Sequence, residues 1–153
     1  MDDVESLITV AEDCPSPAGV VPTSRRPGLT VARVQHDLLV GDPFRFTEDD
    51  VLFESWLRRQ EFPAGLPGTA EVHALREAFL AKQRPCLRAS PLPMRFGWGL
   101  AFDGAGRVAL VAVESPEYRE LTAPGSGVRL HKAFRSTGRR RLAATPAATS
   151  TER

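Results

Sequence analysis

The chain has 153 residues, of which 42% are hydrophobic and 25% charged, with a net charge of +1. This composition is typical of one globular domain, and no apolar run reaches the roughly 18 residues of a membrane-spanning helix, so no membrane partner is expected. The acidic N-terminus lacks the basic region of a secretory signal, which predicts a cytoplasmic location with reduced cysteines.

The N-terminal part predicts a strand, a loop and a helix. Residues 7–11 form a short run with β propensity, and the proline-rich stretch that follows, to about residue 28, predicts an irregular loop. Apolar residues between 30 and 39 have helical spacing with Thr30 as N-cap, although the β-branched start leaves a strand possible.

Two further helices are predicted in the middle of the chain. Thr47 is a predicted N-cap with Asp50 at the third helical position, and the apolar stripe that follows extends to about residue 60. After a Pro/Gly-rich break, Thr69 is the predicted N-cap of another helix. That helix ends before Pro85, because the residue before a proline disfavours the α conformation.

The C-terminal half predicts a β-hairpin over about 95–113, where alternating aromatic and aliphatic residues flank the sequence Asp-Gly-Ala-Gly. Ser115 and Pro116 predict the start of a short helix, and residues 128–130 an edge strand. The sequence therefore predicts one α+β domain over residues 1–136, with a small antiparallel sheet packed against three to four helices. Residues 137–153 contain few bulky apolar side chains and predict a disordered tail.

The stretch 83–99 contains the candidate functional residues. If residues 86–90 are extended, Cys86, Arg88 and Ser90 share one face, because strand side chains alternate with period two. Cys86 is then a candidate nucleophile beside an arginine that favours its thiolate; the alternative is a small buried apolar residue. Arg88 is a candidate ligand for a carboxylate or phosphate; the alternative is an internal ion pair.

Two further groups are candidates for binding. Trp98 lies between two glycines, so its ring could stack on a ligand that approaches the backbone closely; the alternative is a core anchor beside a bulge. Glu12 and Asp13 form an acidic pair, although such residues more often cap a strand end and face solvent. Two cysteines and three histidines without metal-type spacing predict no metal site, and no cofactor motif is present.

The charge is divided unevenly along the chain. Residues 1–61 carry a net charge of −6 and residues 62–153 a net charge of +7. The simple interpretation is that an acidic half packs against a basic half, and the functional one is a basic surface for an anionic partner. Arg139–Arg141 on the tail could associate with nucleic acid, but a solvated tail is the more common outcome, so nucleic acid is not the expected partner.

Several segments together resemble an uncharacterised family of small bacterial proteins, a domain of unknown function. The resemblance rests on VAEDCP (10–15), FRFTEDDVLFE (44–54), QRPCLRASPL (83–92), FGWG (96–99), RVALVAVESPEY (107–118) and AFRS (133–136). It implies a stand-alone cytoplasmic protein and no assigned activity, cofactor or substrate. The chain departs from the family pattern at Phe44 and Phe46, where tyrosines are expected, and in a longer proline-rich loop between residues 60 and 70.

The sequence names no reaction and leaves three functional hypotheses. The first is a non-enzymatic module that binds a small anionic ligand or a protein partner through Arg88, Ser90, Trp98, Glu12 and Asp13. The second is a thiol-dependent enzyme or redox sensor that uses Cys86, with Cys14 as a resolving thiol. The third and weaker hypothesis is association with nucleic acid through the basic tail.

Overall fold

The computed structural model describes residues 3–23, 29–82 and 86–135, which form four strands and five α-helices. The predicted α+β fold is confirmed, with its hairpin in the C-terminal half. The predicted domain end at residue 136 and the tail 137–153 lie outside the described residues. In chain order the elements are β1 Val4–Thr9, α1 Val31–Gly41, α2 Glu48–Leu57, α3 Thr69–Ala81, a 3-10 turn at Leu87–Ala89, α4 Pro91–Arg95, β2 Trp98–Asp103, β3 Val108–Ala112, α5 Pro116–Thr122 and β4 Arg129–Lys132.

The four strands form one mixed sheet in the order β3–β2–β1–β4. The predicted antiparallel pairing is confirmed for β2 with β3 and for β1 with β2, but it is wrong for β4, which runs parallel to β1. The connection explains the difference. The chain leaves β3 at one edge of the sheet, passes through α5 and enters β4 at the other edge, and such a helical crossover brings the chain back in the same direction.

The two faces of the sheet carry separate cores, because neighbouring residues of a strand point to opposite sides. Ile8 and Leu100 belong to the larger core, to which α1, α2 and α4 contribute Leu39, Val51 and Leu92. On the other face, Leu7 and Ala101 belong to a smaller core that α5 covers with Leu121. The sheet is thus a middle layer, and most of the helices lie on one side of it.

The start of α2 is as predicted, whereas the start of α3 differs by one residue. Thr47 and Asp50 form a reciprocal capping box, in which each side chain accepts a hydrogen bond from the other residue's backbone N–H. The predicted cap at Thr69 is wrong, because Gly68 is the N-cap and Thr69 is already helical. Glycine has no side chain to cap the helix, but the carboxylate of Glu71 accepts the backbone N–H of Gly68 at 3.4 Å and so gives this N–H a partner.

Two other predicted helix starts are confirmed. Thr30 Oγ1 accepts the N–H of Arg33, and the segment after it is α1 rather than a strand. At the start of α5, Ser115 Oγ accepts the N–H of Tyr118 and Pro116 takes the first helical position. In both cases a hydroxyl satisfies a backbone donor that the helix leaves without a partner.

Candidate functional site

A cleft of about 510 Å³ lies between α3 and the body of the protein formed by α1, α2 and residues 86–91. Its walls are mainly aliphatic and aromatic, and none of the described residues that line it is acidic. The volume falls within the roughly 300–1,000 Å³ of small-molecule pockets. The lining residues are Val31, Gln35, Leu52, Ser55, Trp56, Arg59, Leu75, Ala78, Phe79, Lys82, Cys86, Leu87, Ala89, Ser90 and Pro91.

Three buried polar side chains, Gln35, Ser55 and Ser90, line the inner part of the cleft, and each is at most 5% exposed. The Ser90 hydroxyl donates to Gln35 Oε1 at 2.6 Å and accepts the N–H of Leu92 at 3.2 Å. Gln35 Nε2 donates to Ser55 Oγ at 3.4 Å, and the Ser55 hydroxyl donates to the carbonyl of Leu52 at 3.1 Å. We call these three residues the polar floor.

The hydrogen bonds of the polar floor fix the direction of the Gln35 amide. Its oxygen faces the Ser90 hydroxyl, and its nitrogen faces Ser55, whose own proton is already donated elsewhere. A carboxamide nitrogen carries two N–H groups. Within the described residues, Gln35 Nε2 makes one hydrogen bond, and that bond is long. The described residues thus supply no acceptor for the second N–H of this buried amide, which belongs to a residue that lines the cleft.

The mouth of the cleft is basic and carries a thiol. Arg59, Lys82 and Cys86 are exposed residues among those that line it. Arg59 Nε donates to the carbonyl of Leu29 at 3.2 Å, which orients the guanidinium. Neither cation forms an ion pair with an acidic residue in the described ranges. The mouth thus presents two positive charges that the described part of the chain does not neutralise.

Helix α3 forms one wall of the cleft without burying any of its residues. Its ring contacts are those of Phe79 with Phe53 and Trp56, whose centroids lie 5.7 and 5.5 Å away. An ion pair at 2.8 Å joins Arg76 to Asp50 of α2, and the same guanidinium lies over the ring of Phe53. These contacts leave space beside the helix, and that space is the cleft.

The structure separates the row expected from Cys86, Arg88 and Ser90. Residues 87–89 form a 3-10 turn instead of an extended strand, and Pro91 continues as the first residue of α4 with Ser90 as its N-cap. A period-two face therefore does not exist here, because a 3-10 turn places every third residue on the same side. Cys86 and Ser90 both line the cleft, whereas Arg88 does not.

Arg88 lies instead against β4, together with the acidic residue Glu12. Its Nε donates to the carbonyl of Lys132 at 2.8 Å, and its guanidinium lies 4.7 Å from the ring centroid of Phe134. Glu12 forms exposed ion pairs with Lys132 at 3.3 Å and with Arg135 at 3.9 Å. Arg88 and Glu12 therefore contact the edge strand, and Asp13, half-buried, follows Glu12 in the loop.

Trp98 anchors the loop 14–22 away from the cleft. Its indole N–H donates to the carbonyl of Val20 at 2.7 Å, and its ring lies edge-on to buried His36. A Cβ on Gly19 would lie 2.9 Å from the indole, so the loop passes directly over the ring. The neighbouring Gly97 has φ +78°, and a Cβ there would overlap the carbonyl group of Ala18 in the same loop. Trp98 is partly buried and packs on the larger core, as in the predicted structural alternative, but the pairing of β2 with β3 runs through Trp98 and Gly99 without the bulge that this alternative included.

The two cysteines have different surroundings and are both free thiols. Cys86 is exposed at the cleft, whereas the partly buried Cys14 donates to the carbonyl of Ser16 at 3.7 Å. Near Cys14, the hydroxyl of Tyr118 accepts the N–H of Val10 at 3.1 Å. Burial raises the pKa of Tyr118 above its usual value and the nearby Cys14 thiol adds to this, while the hydrogen bond from Val10 opposes it.

Sequence reasoning missed most of the cleft. Of its polar and charged residues only Cys86 and Ser90 were identified, and Gln35, Ser55, Arg59 and Lys82 were not. A signal existed for two of them: Gln35 and Ser55 each lie four residues after a valine of an apolar helical stripe, where an aliphatic residue is expected. Residues 139–141, the predicted nucleic-acid contact, lie outside the described residues.

Among the described residues, no group of three or more His, Cys, Asp or Glu side chains is placed to hold a metal ion. No helix in the same ranges has the length and apolarity needed to cross a membrane. No curated protein and no solved structure is significantly similar to the chain. The model of a family of unknown function, DUF6157, matches residues 1–139. Because that match covers most of the sequence and includes every residue of the cleft, the chain belongs to the DUF6157 family.

Proposed function

We propose that the protein is a small-molecule-binding module whose ligand occupies the cleft beside α3. The observation that carries the proposal is an apolar cavity of about 510 Å³ lined by the 98%-buried Gln35, for whose second amide N–H the described residues supply no acceptor. A buried donor that lacks an acceptor costs about 1–3 kcal/mol, so a ligand acceptor at this place would be favoured. The apolar walls would hold the body of the ligand, and the polar floor would set its orientation.

The cleft is a better candidate for the binding site than the surface first expected around Arg88 and Trp98. Both of those side chains already have partners: Arg88 contacts Lys132 and Phe134, and the indole N–H contacts Val20. Of the residues expected to bind, Ser90 alone lines the cleft. We therefore keep the proposed binding function and assign it to the cleft, which Arg88 does not line.

A thiol-dependent activity of Cys86 is the second candidate function, because the exposed thiol lies at the mouth of the same cleft. A nucleophilic thiol needs a base that accepts its proton, usually histidine or a carboxylate. The described residues that line the cleft include no His, Asp or Glu. We therefore propose binding first, with Cys86 as a contact residue. An exposed free thiol also suits a reducing compartment, which supports the proposal of a cytoplasmic location.

The test fills the cleft and leaves the rest of the protein unchanged. Ala78→Phe places a ring in the cleft from α3, and Ala81→Phe adds the same ring to the same helix at an exposed position that does not line the cleft. The measurement is the fluorescence of 1-anilinonaphthalene-8-sulfonate, which reports binding to an apolar site. We expect binding to wild type and to A81F and its loss in A78F. Equal binding to all three proteins, or none to wild type, would overturn the proposal.

A further inference from the structure

The charge distribution of the cleft narrows the chemistry of its ligand, on the assumption that the proposed binding function holds. Its lining contains two cations, Arg59 and Lys82, and no acidic side chain among the described residues. Both cations are exposed and therefore belong to the mouth, whereas the inner part has apolar walls and the uncharged polar floor. The cleft is thus positive at its mouth and uncharged inside.

We propose that the cleft binds an amphiphilic organic carboxylate, with its charged group at the mouth and its apolar body against the inner wall. Arg59 is suited to the charged group, because Nε is fixed on the Leu29 carbonyl and its terminal nitrogens have no hydrogen-bond partner among the described residues. A guanidinium in this orientation can donate two parallel hydrogen bonds to a carboxylate. Lys82, at the end of α3, adds a second cation.

The apolar body has a defined place in the same cleft. Trp56 and Phe79, whose rings contact each other with centroids 5.5 Å apart, form the aromatic part of the lining, and Leu52, Leu75 and Leu87 add aliphatic wall. A bound alkyl chain or aromatic ring would remove this surface from water, and the gain in binding free energy is about 25 cal/mol per Å² of buried apolar area. Polar anions without such a body, for example inorganic phosphate, would leave these walls in contact with water.

Other occupants fit the charges less well. The chain's own C-terminal part carries Arg139–Arg141, and positive charge is repelled by a mouth that already contains two cations. Cationic or neutral amphiphiles would gain the apolar contacts alone. A carboxylate attached to an apolar body satisfies both the walls and the mouth.

The inference is tested by displacement of 1-anilinonaphthalene-8-sulfonate from the full-length protein with three probes that share one alkyl chain: decanoate, decanol and decyltrimethylammonium. We expect decanoate to displace the dye at a roughly two- to thirty-fold lower concentration than decanol, since each of two exposed ion pairs contributes a factor of about 1.4 to 5. The cationic probe is expected to be the weakest. The preference should shrink in about 1 M NaCl, where the Debye length falls to ~3 Å.

Variants that remove the charges of the mouth test whether those charges cause the preference for decanoate over decanol. The double variant Arg59→Gln with Lys82→Gln should remove the advantage of decanoate and leave decanol binding unchanged. The matched control is Arg58→Gln, because Arg58 is the exposed neighbour in sequence, pairs with Glu54 at 3.1 Å and does not line the cleft. Equal displacement by decanoate and decanol, or a preference that survives in the double variant, would overturn this inference and leave the binding function standing. No displacement of the dye by any probe would also overturn this inference, whereas absence of dye binding to the wild-type protein would overturn the binding function itself.

Discussion

Replacing Ser90 by alanine removes a hydroxyl that serves the fold and the cleft together. Its loss leaves Gln35 Oε1 and the N–H of Leu92 without their partner, at a position where Ser90 is 5% exposed. An unsatisfied buried group costs about 1–3 kcal/mol and a lost N-cap about 1 kcal/mol. We therefore expect Ser90→Ala to lower the free energy of unfolding by about 2–4 kcal/mol.

The matched control is Ser115→Ala, because Ser115 is also an N-cap followed by proline. Its hydroxyl accepts the N–H of Tyr118 and donates to the carbonyl of Ala112, but the residue is only partly buried. We expect this variant to lose about 1 kcal/mol, as is usual for an N-cap. The difference between the two variants isolates the contribution of burial and of the bond to Gln35.

The assay is urea unfolding followed by circular dichroism, with the slope of the transition required to stay constant so that the midpoints report stability. A double variant with Gln35→Leu adds a second readout. When both partners become apolar, no polar group is left unsatisfied between them, so the double variant should be more stable than the sum of the single losses predicts. If Ser90→Ala loses no more than Ser115→Ala, water from the cleft replaces the hydroxyl, and the reasoning about the polar floor is refuted.

Three further predictions concern other parts of the molecule. Gly97→Ala should destabilise the protein by more than about 2 kcal/mol, because its φ is +78° and the new methyl would overlap the carbonyl oxygen of Ala18; Gly41→Ala, with open space around it, should be neutral or slightly stabilising in the same unfolding assay. Tyr118 is the single tyrosine, so an alkaline absorbance titration should give a midpoint above about 10 that returns to about 10 in urea. Because burial disfavours the charged phenolate, the contribution of Tyr118 to stability is complete below pH 10 and is lost as the pH rises through the folded pKa. An unshifted midpoint would contradict the burial argument. Alkylation of the native protein should show one fast thiol that Cys86→Ser removes and one slow thiol; two equally slow thiols would contradict the exposed position of the first.

Helix starts and the hairpin could be predicted from the sequence because their determinants are local. The capping box of α2 lies within four consecutive residues, and the turn between β2 and β3 is set by Asp103, whose carboxylate accepts the N–H groups of Ala105 and Arg107. Such contacts depend on sequence neighbours and little on the remaining fold. The parallel pairing of β4 could not be predicted in this way, since it depends on the path of the crossover rather than on any property of residues 129–132.

The cleft was largely missed because its parts come together over long sequence distances. Gln35 and Ser90 are 55 positions apart, and a polar residue in its own segment does not indicate which distant residue it will contact. The row proposed for residues 86–90 failed for a local reason as well. Two prolines at 91 and 93 favour a short helix with Ser90 as its cap, and the preceding residues complete a 3-10 turn in place of a strand.

The same features that make α3 weakly attached make it suited to binding. A 13-residue helix that buries none of its residues gains little from the core, and its described contacts include those of Phe79 and the partly exposed Arg76–Asp50 ion pair. The helix therefore belongs to the less stable part of the fold. A ligand in the cleft would touch Leu75, Ala78 and Phe79 of α3 on one side and the polar floor on the other. Part of its binding energy would then stabilise the helix, which links the occupancy of the cleft to the stability of the protein.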